Sequence, residues 1–284
     1  RQRQMCIRDS YKEEYQKIIG RDVITRFGYD WDRGRLDVAP HPFTTEFGQG
    51  DVRITTRYLK DDAGSALFST MHEAGHAMYG QGIPEKYRRH PLSGAASLAI
   101  HESQSRLWEN LVGRSREFWS FFYPSMQMLF PQFLANVSQE DFYRGVNKVE
   151  PTLIRVEADE ATYNLHIMLR LEIEIGLMEN TVEVADLPEI WNAKMEDYLG
   201  VTPPDDARGV LQDIHWSAGM VGYFPTYALG NLASVQLWDK MLEDHPNIPD
   251  EIAQGKFDTI LCWMREHVHQ YGSKFEPQEI MVKA

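Results

Sequence analysis

Apolar residues near the start of the chain follow a helical period and then the alternation of a strand. Residues 9–27 carry apolar side chains one helical turn apart, which predicts a helix that Asp9 or Ser10 caps. Residues 28–58 mix Gly, Pro and Asp with β-branched and aromatic residues, and the segment DVRITTRY at 51–58 alternates. A small sheet or hairpin near residues 45–60 is therefore predicted.

From Leu67 the pattern is helical almost to the end of the chain. Breaks rich in Gly, Pro and Asp predict loops at residues 82–94, 186–189, 200–209 and 245–250. The sequence shows no repeat of fixed period and no low-complexity tract, and its charge is spread evenly. The predicted fold class is mainly α, with residues 11–284 forming one helical body.

The composition is typical of a globular protein. Of 284 residues, 43% are hydrophobic, which is enough for a large core. The net charge of -13 repels phosphate backbones and anionic lipids, so neither nucleic acid nor membrane is expected as a partner. Two cysteines, Cys6 and Cys262, are too few for a disulfide framework, and no apolar run approaches the ~20 residues that span a bilayer. These features favour a cytoplasmic protein.

The first ten residues, RQRQMCIRDS, differ from the rest of the chain. They begin without Met and are basic and polar, with no apolar core of the kind that a signal peptide needs. We expect residues 1–10 to be a non-native leader.

The segment MHEAGHAMYG at 71–80 places two histidines four residues apart. On a helix, His72 and His76 lie one turn apart on one face, so both imidazoles can reach a single metal ion. Glu73 lies about 100° around the helix from His72, where it can hold a water on the metal and act as general base without being a ligand. The pattern predicts a zinc site.

A chance match is the competing interpretation, because the pattern has only three fixed positions. The neighbouring residues favour the metal site. Ala74 and Gly75 are small enough for close packing against another element, and apolar residues on the same helix can be buried: Ala66, Leu67, Phe68, Met71 and Met78. We expect this helix to lie inside the protein.

A second polar cluster, HESQSRLWEN at 101–110, can supply a third ligand. A catalytic zinc takes three protein ligands and keeps one position open. On a helix Glu102 faces the same side as Arg106 and Glu109, so Glu102 can complete a set of two histidines and one glutamate while Glu109 orients a ligand. The alternative is a solvated helical face on which these three residues form ion pairs.

Six sequence blocks occur in one order: HPF at 41–43, DVRIT at 51–55, HEAGH at 72–76, HESQ at 101–104, IRVEAD at 154–159 and GVLQDIHW at 209–216. This series resembles the signature blocks of the thermostable carboxypeptidase (carboxypeptidase Taq) family. The resemblance implies a zinc metallocarboxypeptidase that removes single residues from peptides with a free C-terminus. It also implies a helical, zincin-like body around a deep groove, similar to neurolysin and angiotensin-converting enzyme, and usually a homodimer.

By the same resemblance His72, His76 and Glu102 are the metal ligands and Glu73 is the base. Such ligands also accept Co²⁺ or Mn²⁺ in place of Zn²⁺. Family members carry a long helical segment before the HPF block and extend beyond the last residues here, so we expect a chain truncated at both ends relative to the family. A non-catalytic helical fragment or scaffold is therefore an alternative.

An exopeptidase must bind the free α-carboxylate of its substrate. A guanidinium does so with two parallel hydrogen bonds and a tyrosine hydroxyl can add a third, which makes Arg155 and Tyr223 the candidates. The competing interpretation of Arg155 is an ion pair within a helix that carries Glu157, Asp159 and Glu160. An endopeptidase or dipeptidase of the same zinc superfamily is the alternative activity, since the metal motif does not decide where a peptide is cut.

Three further residues are candidates for contact with substrate. His215 is predicted to donate a hydrogen bond to the oxyanion, with Asp213 as its partner. The competing interpretation is a core histidine beside Trp216. We expect His41 to approach substrate from a loop, and Arg53 either to order the edge of the sheet or to line the groove.

Overall fold

The computed structural model describes residues 11–284. Asp9 and Ser10, the predicted caps of the first helix, lie outside the described residues, as does the expected leader at 1–10. Within the described part of the chain, no helix combines the length and the apolar content that crossing a membrane requires.

Helices dominate the described chain, which confirms the mainly α fold class. The α-helices are α1 (Glu13–Phe27), α2 (Ala63–Gly82), α3 (Leu98–Arg106), α4 (Arg116–Leu129), α5 (Pro131–Leu134), α6 (Gln139–Val146), α7 (Glu160–Met178), α8 (Leu187–Leu199), α9 (Pro225–Asp244), α10 (Ile248–Ile252), α11 (Asp258–His267) and α12 (Pro277–Lys283). A π-helical turn, Leu107–Val112, continues α3. Short 3-10 turns occupy Trp31–Arg33, Glu85–Tyr87, Pro91–Ser93, Arg155–Glu157, Val184–Asp186 and His269–Tyr271.

The small sheet that the sequence predicts is present and has three strands: β1 (Leu36–Val38), β2 (Thr44–Gly48) and β3 (Asp51–Thr56). The strand order is β1-β3-β2, with β1 parallel and β2 antiparallel to the central β3. Val52 and Ile54 of β3 are fully buried, because a central strand packs its apolar residues on the helices beside it. Because β3 lies between the other two strands, β2 is at an edge of the sheet.

Two of the predicted loops are partly helical. Pro188 lies in the first turn of α8 and Pro249 in the first turn of α10. Proline fits there because the first N–H groups of a helix have no partner within the helix. The predictions of loops are therefore wrong for residues 187–189 and 248–250, whereas residues 200–209 contain no α-helix, as predicted.

The described chain divides into two compact units. The first comprises residues 11–146 and Gly230–Ala284, and its core includes the fully buried ring of Phe27. The second comprises Asn147–Leu229, with a smaller core around Trp191. That residues 11–284 form a single catalytic body stays a prediction.

Helix α2 is buried along most of its length within the first unit, as the sequence predicts. Asp62 caps its start by accepting hydrogen bonds from the backbone N–H groups of Gly64 (2.8 Å) and Ser65 (3.2 Å). The helix passes α3 closely at Gly75. A Cβ at this position would lie 2.7 Å from the carbonyl oxygen of Gln104, which is closer than packed atoms can approach. The small residue is therefore required where the two helices meet.

Gly75→Ala is expected to lower the free energy of unfolding by about 1–3 kcal/mol, because the added methyl group forces α2 and α3 apart. Urea denaturation followed by circular dichroism measures the change. Gly145→Ala in α6 is the matched control, since a Cβ there meets no atom within 4 Å. Alanine has the higher helix propensity, so the control should be neutral or slightly stabilising. Equal effects of the two substitutions would contradict the proposed close contact.

Candidate metal centre

Helices α2 and α3 bring the three predicted ligands together. The metal-binding atoms of His72, His76 and Glu102 all lie within 4.8 Å of one another. Glu102 Oε2 is 3.4 Å from Nε2 of His76 and 3.8 Å from Nε2 of His72. Two imidazole nitrogens and one carboxylate oxygen thus face one point, which is the donor set of many catalytic zinc sites.

The second nitrogen of each imidazole faces an acceptor. His72 Nδ1 is 2.8 Å from Oε2 of Glu109. His76 Nδ1 is 3.0 Å from the backbone oxygen of His101 and 2.5 Å from Nδ1 of the same residue. A histidine that donates through Nδ1 keeps Nε2 unprotonated and able to bind a metal. The contact with the Glu109 carboxylate therefore favours, in neutral His72, the tautomer that a metal ion requires. Glu109 lies in the π-helical turn after α3, a feature that often marks functional positions.

Arg106 connects the two carboxylates of this site. Its Nε donates to Oε1 of Glu102 (2.8 Å), and its guanidinium also donates to Oε2 of Glu109 (3.2 Å). The side chains of these residues are only 5–13% exposed, so the cluster is not a solvated face. Because Arg106 engages Oε1, Oε2 is the oxygen of Glu102 that remains for a metal. The ion pairs of the alternative interpretation are thus present, but they are buried and not on a solvated face.

The charges around the site suit a metal ion. Burial and the neighbouring His101 lower the pKa of His76 to about 3, which keeps its ring neutral. Burial raises the pKa of Glu102, but His72 and Arg106 outweigh it and hold the pKa well below its usual range. Burial also lowers the pKa of His72, yet Glu102 and Glu109 outweigh it and raise the pKa to about 9. The carboxylates thus favour positive charge at this point, as a divalent cation would supply.

Gly230 of α9 closes one side of the predicted ligand Glu102. A Cβ at Gly230 would lie 2.5 Å from Cγ of Glu102, so any larger residue would displace the carboxylate. Glu102 is 4% exposed, and this close approach limits its choice of rotamer. The contact is one that a periodic sequence pattern does not reveal.

The predicted base, Glu73, lies in α2 directly after His72 and is 7% exposed. Burial raises its pKa above the usual range, while His72 and the hydroxyl of Thr44 oppose that shift. A buried carboxylate with a raised pKa suits proton transfer near neutral pH. The sequence did not identify Thr44, although it directly follows the HPF block.

The predicted carboxylate-binding residue, Arg155, lies in the second unit in a 3-10 turn. Its Nε and one terminal nitrogen donate to Oδ1 of Asp213 (3.0 and 2.7 Å), and the other terminal nitrogen donates to the hydroxyl of Tyr163 (2.8 Å). The competing prediction of an ion pair within a helix is therefore wrong. Asp213 also accepts from Arg170 of α7 (2.8 Å), a residue that the sequence analysis missed.

His215 contacts both a carboxylate and aromatic residues. Its Nε2 is 3.0 Å from the hydroxyl of Tyr227, and its Nδ1 is 3.9 Å from the predicted partner Asp213. The ring packs on Phe224, with centroids 4.4 Å apart, and the ring of Tyr223 is 5.3 Å away. Arg155, Asp213, His215 and Tyr223 thus form one cluster, which we call the Arg155 cluster.

His41 and Arg53 lie beside β2 and β3 in the first unit. His41 is exposed on the loop before β2, and its Nδ1 is 2.7 Å from the backbone oxygen of Pro42. Arg53 makes two hydrogen bonds of 2.7 Å with Asp51 on its own strand. The guanidinium also covers the ring of Phe47 on β2, which agrees with a role in ordering the sheet edge.

A helix that carries HExxH and a crossing helix that supplies a glutamate together define the class of helical metallopeptidases. A family model described as "Carboxypeptidase Taq (M32) metallopeptidase" matches residues 1–284. The chain therefore belongs to the carboxypeptidase Taq (M32) metallopeptidase family.

Known relatives are similar over nearly all of this chain. It is 48% identical over 271 residues to thermostable carboxypeptidase 1 of Thermus thermophilus. The aligned part covers 95% of this chain and 53% of the relative. Carboxypeptidase 1 of Bacillus subtilis is 46% identical over 278 residues, and the aligned part covers 98% of this chain and 56% of that relative. The chain thus spans about half the length of these relatives.

Solved structures show the same fold. An M32 carboxypeptidase from Deinococcus radiodurans R1 superposes with a TM-score of 0.94 at 43% identity, covering 97% of this chain and 56% of that chain. Metallocarboxypeptidase 1 of Trypanosoma cruzi gives a TM-score of 0.92 at 37% identity, and the superposition covers 97% of this chain and 58% of that chain. The helical fold around the candidate metal centre is therefore that of known M32 structures.

Proposed function

We propose that this protein is a metallocarboxypeptidase that removes single residues from the free C-termini of peptides. The observation that carries the proposal is the convergence of His72, His76 and Glu102 on one point, next to the buried carboxylate of Glu73. Zinc is the expected metal, and Co²⁺ or Mn²⁺ also suits two imidazoles and a carboxylate. Family membership supports peptide hydrolysis as the reaction.

In this mechanism His72, His76 and Glu102 hold the metal ion, and Glu109 and Arg106 keep the ligands in place. A bound ion would supply Lewis acidity for the activation of water and of the scissile carbonyl. Glu73 accepts a proton from the attacking water and transfers it to the leaving amine. His215 is proposed to donate to the oxyanion through a ring nitrogen.

We propose that the Arg155 cluster binds the substrate α-carboxylate. Asp213 carries one negative charge, whereas Arg155 and Arg170 carry two positive charges and are 5% and 0% exposed. Burial, and to a smaller extent the charge of Arg170, lower the pKa of His166 to about 4, so the His166 ring stays neutral at pH 7. The excess of positive over negative charge among these buried residues favours the binding of an anion. The α-carboxylate of a peptide would be such an anion. Tyr223 is proposed to add a hydrogen bond.

C-terminal amidation of a peptide is expected to lower kcat/KM by about 100-fold or more, because the amide removes the charge that the Arg155 cluster requires. Arg155→Met should cause a comparable loss on the free acid and no further loss on the amide. Arg208→Met is the matched control, since Arg208 is an exposed arginine of the same unit. Peptide cleavage followed by mass spectrometry measures both substrates. Equal cleavage of acid and amide would instead indicate an endopeptidase or dipeptidase.

The remaining predictions are parts of the same proposal. His41 would approach substrate from its exposed loop, and Arg53 would either order the edge of the sheet or line a substrate groove. A homodimer, a cytoplasmic location and the lack of nucleic-acid partners stay predictions. A non-catalytic helical fragment or scaffold stays the alternative. Metal content together with a peptide-trimming assay separates the scaffold from the enzyme.

A further inference from the structure

Strand β2 carries a hydroxyl that contacts the proposed base. Thr44 Oγ1 lies 2.6 Å from Oε2 of Glu73 and 3.0 Å from the backbone oxygen of Glu73. A hydroxyl has a single proton to donate, and a carboxylate oxygen is a stronger acceptor than a carbonyl. The proton of Thr44 therefore goes to Oε2. Oε1 is left as the oxygen of Glu73 that can accept a proton from water.

The position of this hydroxyl is set by the sheet. Phe43 donates its N–H to the hydroxyl of Thr55 (2.9 Å), and its carbonyl accepts the N–H of Thr55 (2.9 Å). The next residue, Thr44, pairs with the fully buried Ile54 of β3. Because threonine is β-branched, its side chain has few allowed rotamers on a fixed backbone. The donor is thus held in place before any substrate arrives.

We propose that Thr44 is a positioning residue that fixes the carboxylate of Glu73 so that one oxygen faces the attacking water. The inference rests on the proposed function, because Thr44 acts only through Glu73. A side chain that must reach a reacting proton loses rate when its carboxylate can rotate, even if the metal ligands and substrate contacts are intact. The expected effect is therefore on turnover and not on binding.

Thr44→Val keeps the shape of threonine and removes the donor. We expect kcat to fall by about tenfold, which is the effect of losing a hydrogen bond to a charged group, and KM to change by less than about twofold. Thr44→Ser keeps the donor and should restore kcat to within about threefold of the wild type. Bound metal, measured by elemental analysis, should be equal in all three proteins.

The neighbouring Thr45 provides the matched control. Its side chain points to the opposite face of β2, so Thr45→Val makes the same chemical change in the same strand away from Glu73. Full kcat in Thr44→Val would overturn the inference. It would also be overturned if Thr44→Ser were as slow as Thr44→Val, or if Thr45→Val lost as much activity. Glu73→Gln tests the proposed base separately: full activity there would refute the assignment of Glu73 as the base, on which the role of Thr44 depends.

A measurement without turnover gives a second test. In crystal structures of metal-free protein, Thr44→Ser should keep Oε2 of Glu73 within hydrogen-bond distance of the serine hydroxyl. Thr44→Val should show the Glu73 carboxylate rotated or in more than one rotamer. An unchanged single rotamer in Thr44→Val would overturn the positioning role, whatever its activity.

Discussion

Glu73→Gln is expected to lower kcat by about 1000-fold while the protein keeps its metal ion. Glutamine has nearly the same shape as glutamate but cannot accept a proton at neutral pH, and general-base catalysis typically contributes 10²–10⁴-fold. The metal should remain because Glu73 is not among His72, His76 and Glu102. Elemental analysis and single-residue release from a free-acid peptide measure the two properties on one sample.

Glu85→Gln is the matched control for this substitution. Glu85 is an exposed glutamate just after α2, paired at the surface with Arg88, so its loss should leave turnover and metal content unchanged. Wild-type rates of peptide hydrolysis in Glu73→Gln would refute its assignment as the base. Loss of metal in that variant would show that Glu73 acts as a ligand.

His76→Ala is expected to lose both the metal ion and the activity. The substitution removes one of three protein ligands, and the two that remain cannot provide the coordination that a catalytic zinc requires. Metal affinity should fall by several orders of magnitude, and hydrolysis should approach the uncatalysed rate. Titration with Zn²⁺ against a competing chelator measures the affinity.

His90→Ala provides the control for a histidine outside the site, since His90 is exposed in the segment before α3. It should bind zinc as the wild type does. Circular dichroism should show that His76→Ala keeps its helices, because the imidazole is part of a polar cluster and not of the apolar core. Wild-type zinc affinity in His76→Ala would place the metal elsewhere.

The sequence alone could predict the relative positions of His72, Glu73 and His76, because all three lie within little more than one helical turn. Helical geometry alone fixes such local relations. The approach of Glu102 depends on where α3 passes α2, at a close contact that Gly75 permits. Its role as a ligand therefore came from the family resemblance and not from periodicity.

Contacts between distant residues explain what the sequence did not predict. Thr44 lies 29 residues before Glu73, and their contact depends on the register of β2 against β3. Arg155 and Asp213 are 58 residues apart, so the spacing of charges near Arg155 suggested helical partners instead. Arg170 falls in an otherwise apolar stretch of α7, and its pairing with Asp213 follows from the packing of the second unit.

The most direct test of the metal centre is anomalous X-ray diffraction at the zinc edge from crystals of this protein soaked in zinc. We predict one strong peak about 2 Å from Nε2 of His72, Nε2 of His76 and a carboxylate oxygen of Glu102. A zinc-saturated crystal with no peak between these atoms, or with the Glu102 carboxylate turned away from a bound ion, would contradict the proposed metal site and the peptidase mechanism built on it.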